Sequence, residues 1–279
     1  LLFLETYGVP IAYHKIYLGH SETWVGFLVH LKTHQIDLPP DKKESLKQLA
    51  DQITPGNSVL IKTAVTYTHR MSWAVQALEQ LRAFLAPLYA WLKDNGQDKY
   101  SKTEYRTPPT IVQFCVTYIR HQLQRTPSQT AEFRARLPGT AATDAATTNT
   151  TAGVGGWHDP TGRCDDRRDV TWFMVPCTQQ SHPWAWDKQN IPQRNISALE
   201  LLGDLYLTEY YAEQYPGHAG THIATASTDN YGNTYIIRKH FTTTFPNMCL
   251  TMELTDRLTQ ANLYLRVDHK DRNQNKWAD

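Results

Sequence analysis

No stretch of this 279-residue chain stays apolar for the roughly 18 positions that a membrane-spanning helix needs. Glu5 and His14 interrupt the opening apolar run, so no secretory leader is readable there. The expectation is an intracellular protein, cytoplasmic or nuclear, with no membrane partner. Cysteine is scarce. Cys115, Cys164, Cys177 and Cys249 stand far apart with no CxxC pair, as free thiols in a reducing compartment would. A zinc site from His158, Cys164, Cys177 and His182 would have a spacing that fits no common finger. His218 and His222 have helical metal-ligand spacing, but Pro216, Gly217 and Gly220 make their segment a loop. Net charge is nearly absent: 28 Lys and Arg against 27 Asp and Glu give +1. This excludes nucleic-acid binding by bulk charge and leaves room only for a local basic track beside an acidic site. There is no internal repeat and no initiator methionine, and both ends read as cut from a longer polyprotein.

What is present is a hydrophobic fraction of 41%, adequate for a core, in a length that suits two modest domains. Trp24-Val25-Gly26-Phe27-Leu28-Val29 reads as a strand and Ile36-Asp37-Leu38 as its short return. After Pro39-Pro40 the period becomes helical: one helix begins at Asp41, a second covers Val59 to Ala77, Leu78 to Leu92 continues it after a bend, and a third runs from Pro109 to Leu123. Residues 126–138, with Pro127 and Pro138, read as a linker. Beyond them the pattern is α/β. Strands are expected near 139–145, 152–158 and 170–176, then a helix at 195–213 and a strand at 221–228. Helices near 231–242 and 246–260, a strand at 262–268 and a helix beginning near 276 complete it.

Four acids stand at chemically suggestive points of that frame: Asp144 in the first strand, Glu200 in the apolar-periodic helix Ile196–Leu202, Asp229 closing the strand before it, and Asp279 at the end. Gathered at one end of a sheet, four carboxylates can hold two hard divalent cations about 3.5–4 Å apart. Each acid also has an ordinary explanation. Asp144 could be a strand-end turn residue, Glu200 the far side of a capping box begun by Ser197, Asp229 a helix N-cap, and Asp279 a first-turn acid facing the helix dipole. Their joint order is what favours chemistry.

The segments Thr143-Asp144-Ala145, Gly153-Val154-Gly155-Gly156-Trp157, Ser197–Leu202, Thr228-Asp229-Asn230 and Asn275-Lys276-Trp277-Ala278-Asp279 resemble the ribonuclease H domain of retroelement reverse transcriptases. The preceding half is similar to the tail of the polymerase. Gly8-Val9-Pro10-Ile11-Ala12-Tyr13-His14-Lys15 looks like the end of the palm, and the helices carrying His69–Ala74 and Leu85–Leu92 look like thumb and connection. The tyrosine-recombinase retrotransposon type is the nearest in pattern. The resemblance implies a palm end at 1–40, a helical thumb/connection at 41–125, a linker at 126–138 and a ribonuclease H-like domain at 139–279. The last would be a mixed five-stranded sheet with flanking helices. The Tyr-x-Asp-Asp polymerase turn of the family is missing; Cys164-Asp165-Asp166-Arg167 reads as a solvated turn.

The same resemblance implies hydrolysis of the RNA strand of RNA–DNA hybrids, with Asp144, Glu200, Asp229 and Asp279 holding two Mg²⁺ ions, for which Mn²⁺ can substitute. The remainder of the reverse transcriptase polyprotein would be a partner. His269 lies ten residues before Asp279, where some ribonucleases H place a proton-shuttling histidine; the alternative is a surface histidine at a strand end. Arg194, Arg238, Lys239, His240, Lys270 and Arg272 are candidate substrate contacts or solvated charges. Asn230 could reach a ribose 2′-hydroxyl. Trp24, Trp73 and Trp91 read as core. The alternatives are a catalytically decayed nucleic-acid-binding or connection domain, and a transposase or integrase. The latter usually places its Glu last, whereas Glu200 is second here.

Overall fold

The computed structural model describes residues 19–53, 56–94, 104–125, 129–130, 135–163, 170–216 and 222–271. Gly8–Lys15, Cys164–Arg167, His218, Arg272, the helix expected near 276 and Asp279 lie outside them. The first half contains β1 (Ser21–Trp24), β2 (Phe27–His30), β3 (Gln35–Asp37), α1 (Pro40–Asp51), β4 (Val59–Leu60), α2 (Ile61–Ala74), α3 (Ala86–Asp94), β5 (Tyr105–Arg106), α4 (Thr110–Arg125) and β6 (Gln129–Thr130). β1, β2, β3 and β6 form an antiparallel sheet in that order.

The run expected to be one strand, Trp24–Val29, is a hairpin. Val25 (φ 50°) and Gly26 (φ 84°) both occupy the left-handed region, as a tight two-residue hairpin turn requires. Glycine is needed there on a second count: a β-carbon on Gly26 would lie 2.8 Å from Trp73 Cζ2. Trp73 stacks on Phe27 at 4.4 Å and Trp91 is buried, but Trp24 is 70% exposed on the hairpin and belongs to no core. Val59 and Leu60 pair with β5, so α2 starts only at Ile61. Between α2 and α3 the chain makes two 3-10 turns, Glu79–Leu81 and Ala83–Leu85, rather than a continuing helix. Pro87 has no N–H to give the carbonyl four residues back, so an α-helix cannot run through it unbroken.

The second half holds β7 (Ala135–Arg136), β8 (Thr140–Thr147), β9 (Ala152–Asp159), β10 (Thr171–Cys177), α5 (Ile196–Gln214), β11 (His222–Thr228), α6 (Tyr231–Lys239), α7 (Asn247–Gln260) and β12 (Leu263–His269). Apart from β7, these elements stand within two residues of the expected bounds, except that the helix expected to reach 242 stops at Lys239, where His240 turns left-handed at φ 48°. The sheet order is β10-β9-β8-β11-β12. β10, β9 and β8 pair antiparallel, while β8, β11 and β12 run parallel. The end of the expected linker also joins this sheet: β7 pairs with the start of β11, and Leu137, nearly buried, donates its N–H to the Ile223 carbonyl at 2.8 Å.

Against this sheet lies α5, apolar on nearly every side, as a helix covered by both sheet and neighbouring helix must be. Leu199, Leu201, Leu202, Leu205 and Leu207 are all buried in the core that α5 shares with β8, β9, β11 and α7. Gly203 lets it come close: a β-carbon there would lie 3.1 Å from both Thr143 Cβ and Val154 Cγ1. A second core, from Leu38 to Leu123, belongs to the helices of the first half and is joined by Met252 of α7. Three antiparallel strands, a helix, a parallel strand, two helices and a final parallel strand make a mixed α/β sheet with the β10-β9-β8-β11-β12 order. The fold is ribonuclease H-like.

Candidate metal centre

The register brings two of the acids side by side. Ala142 of β8 pairs with Ser227 of β11, and strand side chains repeat their face every second residue. Two positions on from that pair come Asp144, in β8, and Asp229, the residue that follows the end of β11. α5 crosses the same sheet and supplies Glu200, only 7% exposed. Carboxylate oxygens of Asp144, Glu200 and Asp229 all lie within 4.8 Å of one another.

The ordinary explanations for these acids do not hold in the structure. Asn195, not Ser197, stands at the N-cap of α5, so Ser197 and Glu200 form no capping box. The N-cap of α6 is Asn230, whose side chain accepts the Asn233 N–H at 3.1 Å; Asp229 caps nothing. Asp144 is in the body of an eight-residue strand rather than at its end, and its Oδ1 accepts the Ala145 N–H at 2.8 Å.

A small polar network supports Glu200. Asn233 donates through Nδ2 to the Ser197 carbonyl at 2.9 Å and reaches Glu200 Oε2 at 3.5 Å. Ser197 Oγ donates to Asn233 Oδ1 at 2.9 Å and accepts from Asn247 Nδ2 at 3.2 Å. One helical turn beyond Glu200, Asp204 is fully buried and takes a hydrogen bond from Thr143 Oγ1 at 3.0 Å. Burial pushes its carboxyl up to about 7; the Thr143 hydrogen bond opposes this and the neighbouring Glu200 charge adds to it. Sequence reading missed Ser197, Asn233, Asn247 and Asp204 as a supporting shell. The readable signal was helical spacing, since Ser197 and Asp204 stand three before and four after Glu200.

The donor set fits a hard divalent cation. Octahedral coordination with bonds of about 2.1 Å separates oxygens by about 3 Å across an edge and about 4.2 Å across the centre. Three carboxylates already within 4.8 Å need only a small closing movement to share an ion. All donors are hard oxygens, which suits Mg²⁺ or Mn²⁺ better than zinc. Among the described residues no other group of three His, Cys, Asp or Glu side chains is close enough to hold a metal, so His158, Cys177 and His182 form no such site.

The other expected site residues separate clearly. His269 ends β12 with its Nε2 3.2 Å from the Asp229 carbonyl oxygen and its ring edge-on to Tyr231. It is exposed and contacts the backbone, not the carboxylate, of Asp229. The expected helix-cap role for the acid at 229 is filled by Asn230, whose amide oxygen is thereby engaged. Arg194 is drawn into an ion pair with Asp187 at 2.8 Å, closing the loop before α5. Arg238 and Lys239 lie over the Tyr235 ring at 4.7 and 5.6 Å. The Lys270 N–H donates to the Thr228 carbonyl at 2.9 Å, keeping that residue beside the site. His240 is 6% exposed and near Thr255 Oγ1, so it is a core residue and not a substrate contact.

No protein-family model and no curated protein matches this chain. Solved structures similar to it include ribonuclease H1 from the archaeon Halobacterium salinarum, at 14% identity and TM-score 0.35 over 50% of this chain and 89% of that one. A second is an N-terminal ribonuclease H domain from Mycobacterium tuberculosis, at 13% identity and TM-score 0.34 over 50% of this chain and 88% of the other. A third is the foamy viral protease-reverse transcriptase in complex with RNA/DNA hybrid, at 9% identity and TM-score 0.34 over 100% of this chain and 55% of that chain. The fold assignment rests on the strand order and register described above. No helix among the described residues is long and apolar enough to cross a membrane.

Proposed function

We propose that this chain is a metal-dependent nuclease that hydrolyses the RNA strand of RNA–DNA hybrids, as the ribonuclease H part of a retroelement reverse transcriptase. The observation that carries the reading is the convergence of Asp144, Glu200 and Asp229 within 4.8 Å, with Asp144 inside a strand body and the two helix caps taken by Asn195 and Asn230. Asp144, Glu200 and Asp229 would hold the cation, joined by Asp279. When bound, the metal supplies a lowered pKa for an attacking water and charge stabilisation for the leaving 3′-oxygen. The chain's own residues do the positioning. Asn233 and Ser197 fix the Glu200 carboxylate, β8 and β11 hold the two aspartates in register, and the imidazole of His269 stands beside Asp229 where it can carry a proton away.

Residues 1–40 and 41–125 are assigned, on the sequence resemblance, to a palm end and a thumb/connection of the tyrosine-recombinase retrotransposon type, with the remainder of that polyprotein as partner. The hybrid is the substrate, with Asn230, Arg238, Lys239, Lys270 and Arg272 as its candidate contacts. A comparison of RNA–DNA, RNA–RNA and DNA–DNA duplexes with Mg²⁺ tests the reading. Cleavage confined to the RNA of the hybrid supports it. Hybrid binding without cleavage, in protein carrying every acid, would make this a decayed binding domain instead.

A further inference from the structure

Sulfur gathers where the two halves of the chain pack together. The Cys115 thiol of α4 donates to Met252 Sδ of α7 at 3.6 Å. Both side chains belong to the core of the first half, Cys115 with no exposed surface and Met252 6% exposed. Cys249 stands three residues before Met252 on α7, a spacing that puts two side chains on one helix face. It is half-buried and acts on the first thiol: burial, and then Cys249, push the Cys115 thiol up to about 12.

A hydroxyl faces the same place. Tyr67 of α2 is fully buried, and its oxygen has no hydrogen-bond partner among the described residues. It lies within electrostatic reach of Cys115, which adds to burial in keeping the phenol protonated. An unpaired buried donor is costly. The protonated thiol is a weak acceptor, whereas a thiolate at 115 would accept from Tyr67 strongly. Thiolate and thioether are soft donors, which select Cu(I) over hard cations. Sulfurs bound at about 2.3 Å stand about 3.8–4.0 Å apart at tetrahedral or trigonal angles. The 3.6 Å spacing needs only a slight opening to match. One thiolate with one monovalent cation is also neutral, the form that burial penalises least.

We propose that Cys115, Met252 and Cys249 form a site for a soft monovalent metal ion, Cu(I), with the Tyr67 hydroxyl donating to the bound Cys115 sulfur. On binding, the Cys115 S–H bond breaks and its proton passes to solvent. An S–Cu bond forms and copper stays Cu(I); a coordinating thiol gives up its proton outright. The ion would join α4 of the helical half to α7 of the other half. The site is separate from the acidic centre, whose hard oxygens suit Mg²⁺.

The full chain, reduced and kept from oxygen, is titrated with Cu(I) against the chromophoric chelator bicinchoninate in excess Mg²⁺. Melting with and without Ag(I), a redox-inert stand-in, is measured alongside. A Cys164→Ser/Cys177→Ser background removes the two other thiols, and one Cu(I) per chain should still bind in it. Cys115→Ala should abolish that binding. Met252→Leu, which nearly keeps the volume, should weaken it by at least about 10-fold and remove the Ag(I) gain in melting temperature. Tyr67→Phe removes only an unpartnered hydroxyl, so without metal it should melt no lower than wild type. It should nonetheless weaken Cu(I) binding by about 10–100-fold. A tyrosine that only fills the core would leave Cu(I) affinity unchanged. No uptake, uptake that vanishes in the Cys164→Ser/Cys177→Ser background, or wild-type affinity in both Met252→Leu and Tyr67→Phe overturns the proposal.

Discussion

Asn233 and Ser197 exchange hydrogen bonds across two helices: Ser197 Oγ donates to Asn233 Oδ1 at 2.9 Å, and Asn233 Nδ2 returns one to the Ser197 carbonyl at 2.9 Å. This reciprocal pair ties the start of α5 to α6, and with it Glu200 to the helix that follows Asp229. Replacing Asn233 with Ala strands buried partners on Ser197. It is expected to cost about 1–3 kcal/mol of stability and to weaken Mn²⁺ binding by about 10–100-fold. Chemical denaturation and calorimetric titration check the two effects separately. A stability loss with unchanged metal affinity would show that Asn233 holds the helices but not the carboxylate.

Asp144→Asn and Asp229→Asn each remove one of three like charges held within 4.8 Å. Without metal, both variants are expected to melt higher than wild type, because crowded carboxylates repel. With saturating Mg²⁺ the order should narrow or reverse, since only the wild type gains the full binding free energy. Thermal melts with chelator and with metal check this; variants that melt lower in chelator would mean these acids are stabilising partners of something else.

Asp204 gives a pH dependence with a definite sign. Its folded carboxyl is raised to about 7, against an ordinary value near 3.9 in the unfolded chain. The folded state thus keeps a proton that the unfolded state releases. The contribution is full below about pH 4 and is lost as pH rises through about 7. Asp204→Asn lacks this titration. The unfolding free energy of wild type relative to the variant should fall by on the order of 3 kcal/mol between those limits and stay level above them. Denaturation in chelator across pH 4–8 checks it, and a difference that rises with pH would contradict the buried, neutral carboxyl.

Much of the second half was readable because its periods are clean. The apolar run of α5 and the alternation in β11 and β12 declare their type, and the order of Asp144, Glu200 and Asp229 along those elements was enough to select them. What was not readable depended on pairing at a distance. Val25-Gly26 looks like the middle of an apolar strand, and only the left-handed backbone opposite Trp73 makes it a turn. Trp24 stands in a periodic apolar setting that reads as core, yet the hairpin leaves it in solvent. Ala135–Arg136 have no strand signature and pair only because β11 offers them an edge. Asn233 is a polar residue in a helix by sequence, and its burial against Ser197 and Glu200 needs α5 and α6 both in place.

Gly203 sets how near α5 comes to the sheet. Gly203→Ala gains helix propensity of about 0.8–1 kcal/mol, but its new methyl meets Thr143 and Val154 at 3.1 Å between a sheet and a helix that are both packed. Overpacking of about 1–3 kcal/mol should win, with Gly203→Val worse, and Glu200 one turn away should lose metal affinity in step. Equal stability in Gly203→Ala would mean the sheet yields, and the close approach is not what places Glu200.

The most direct measurement is cleavage of an end-labelled RNA–DNA hybrid in Mg²⁺ by the wild type and by Asp229→Asn, with RNA–RNA and DNA–DNA duplexes and a chelator arm alongside. The expected result is RNA cut only in the hybrid, only with the divalent ion, and at the metal-free background in Asp229→Asn. Cleavage at the wild-type rate in Asp229→Asn would contradict an acidic centre formed by Asp144, Glu200 and Asp229, and equal cleavage of all three duplexes would contradict the RNA–DNA hybrid as its substrate.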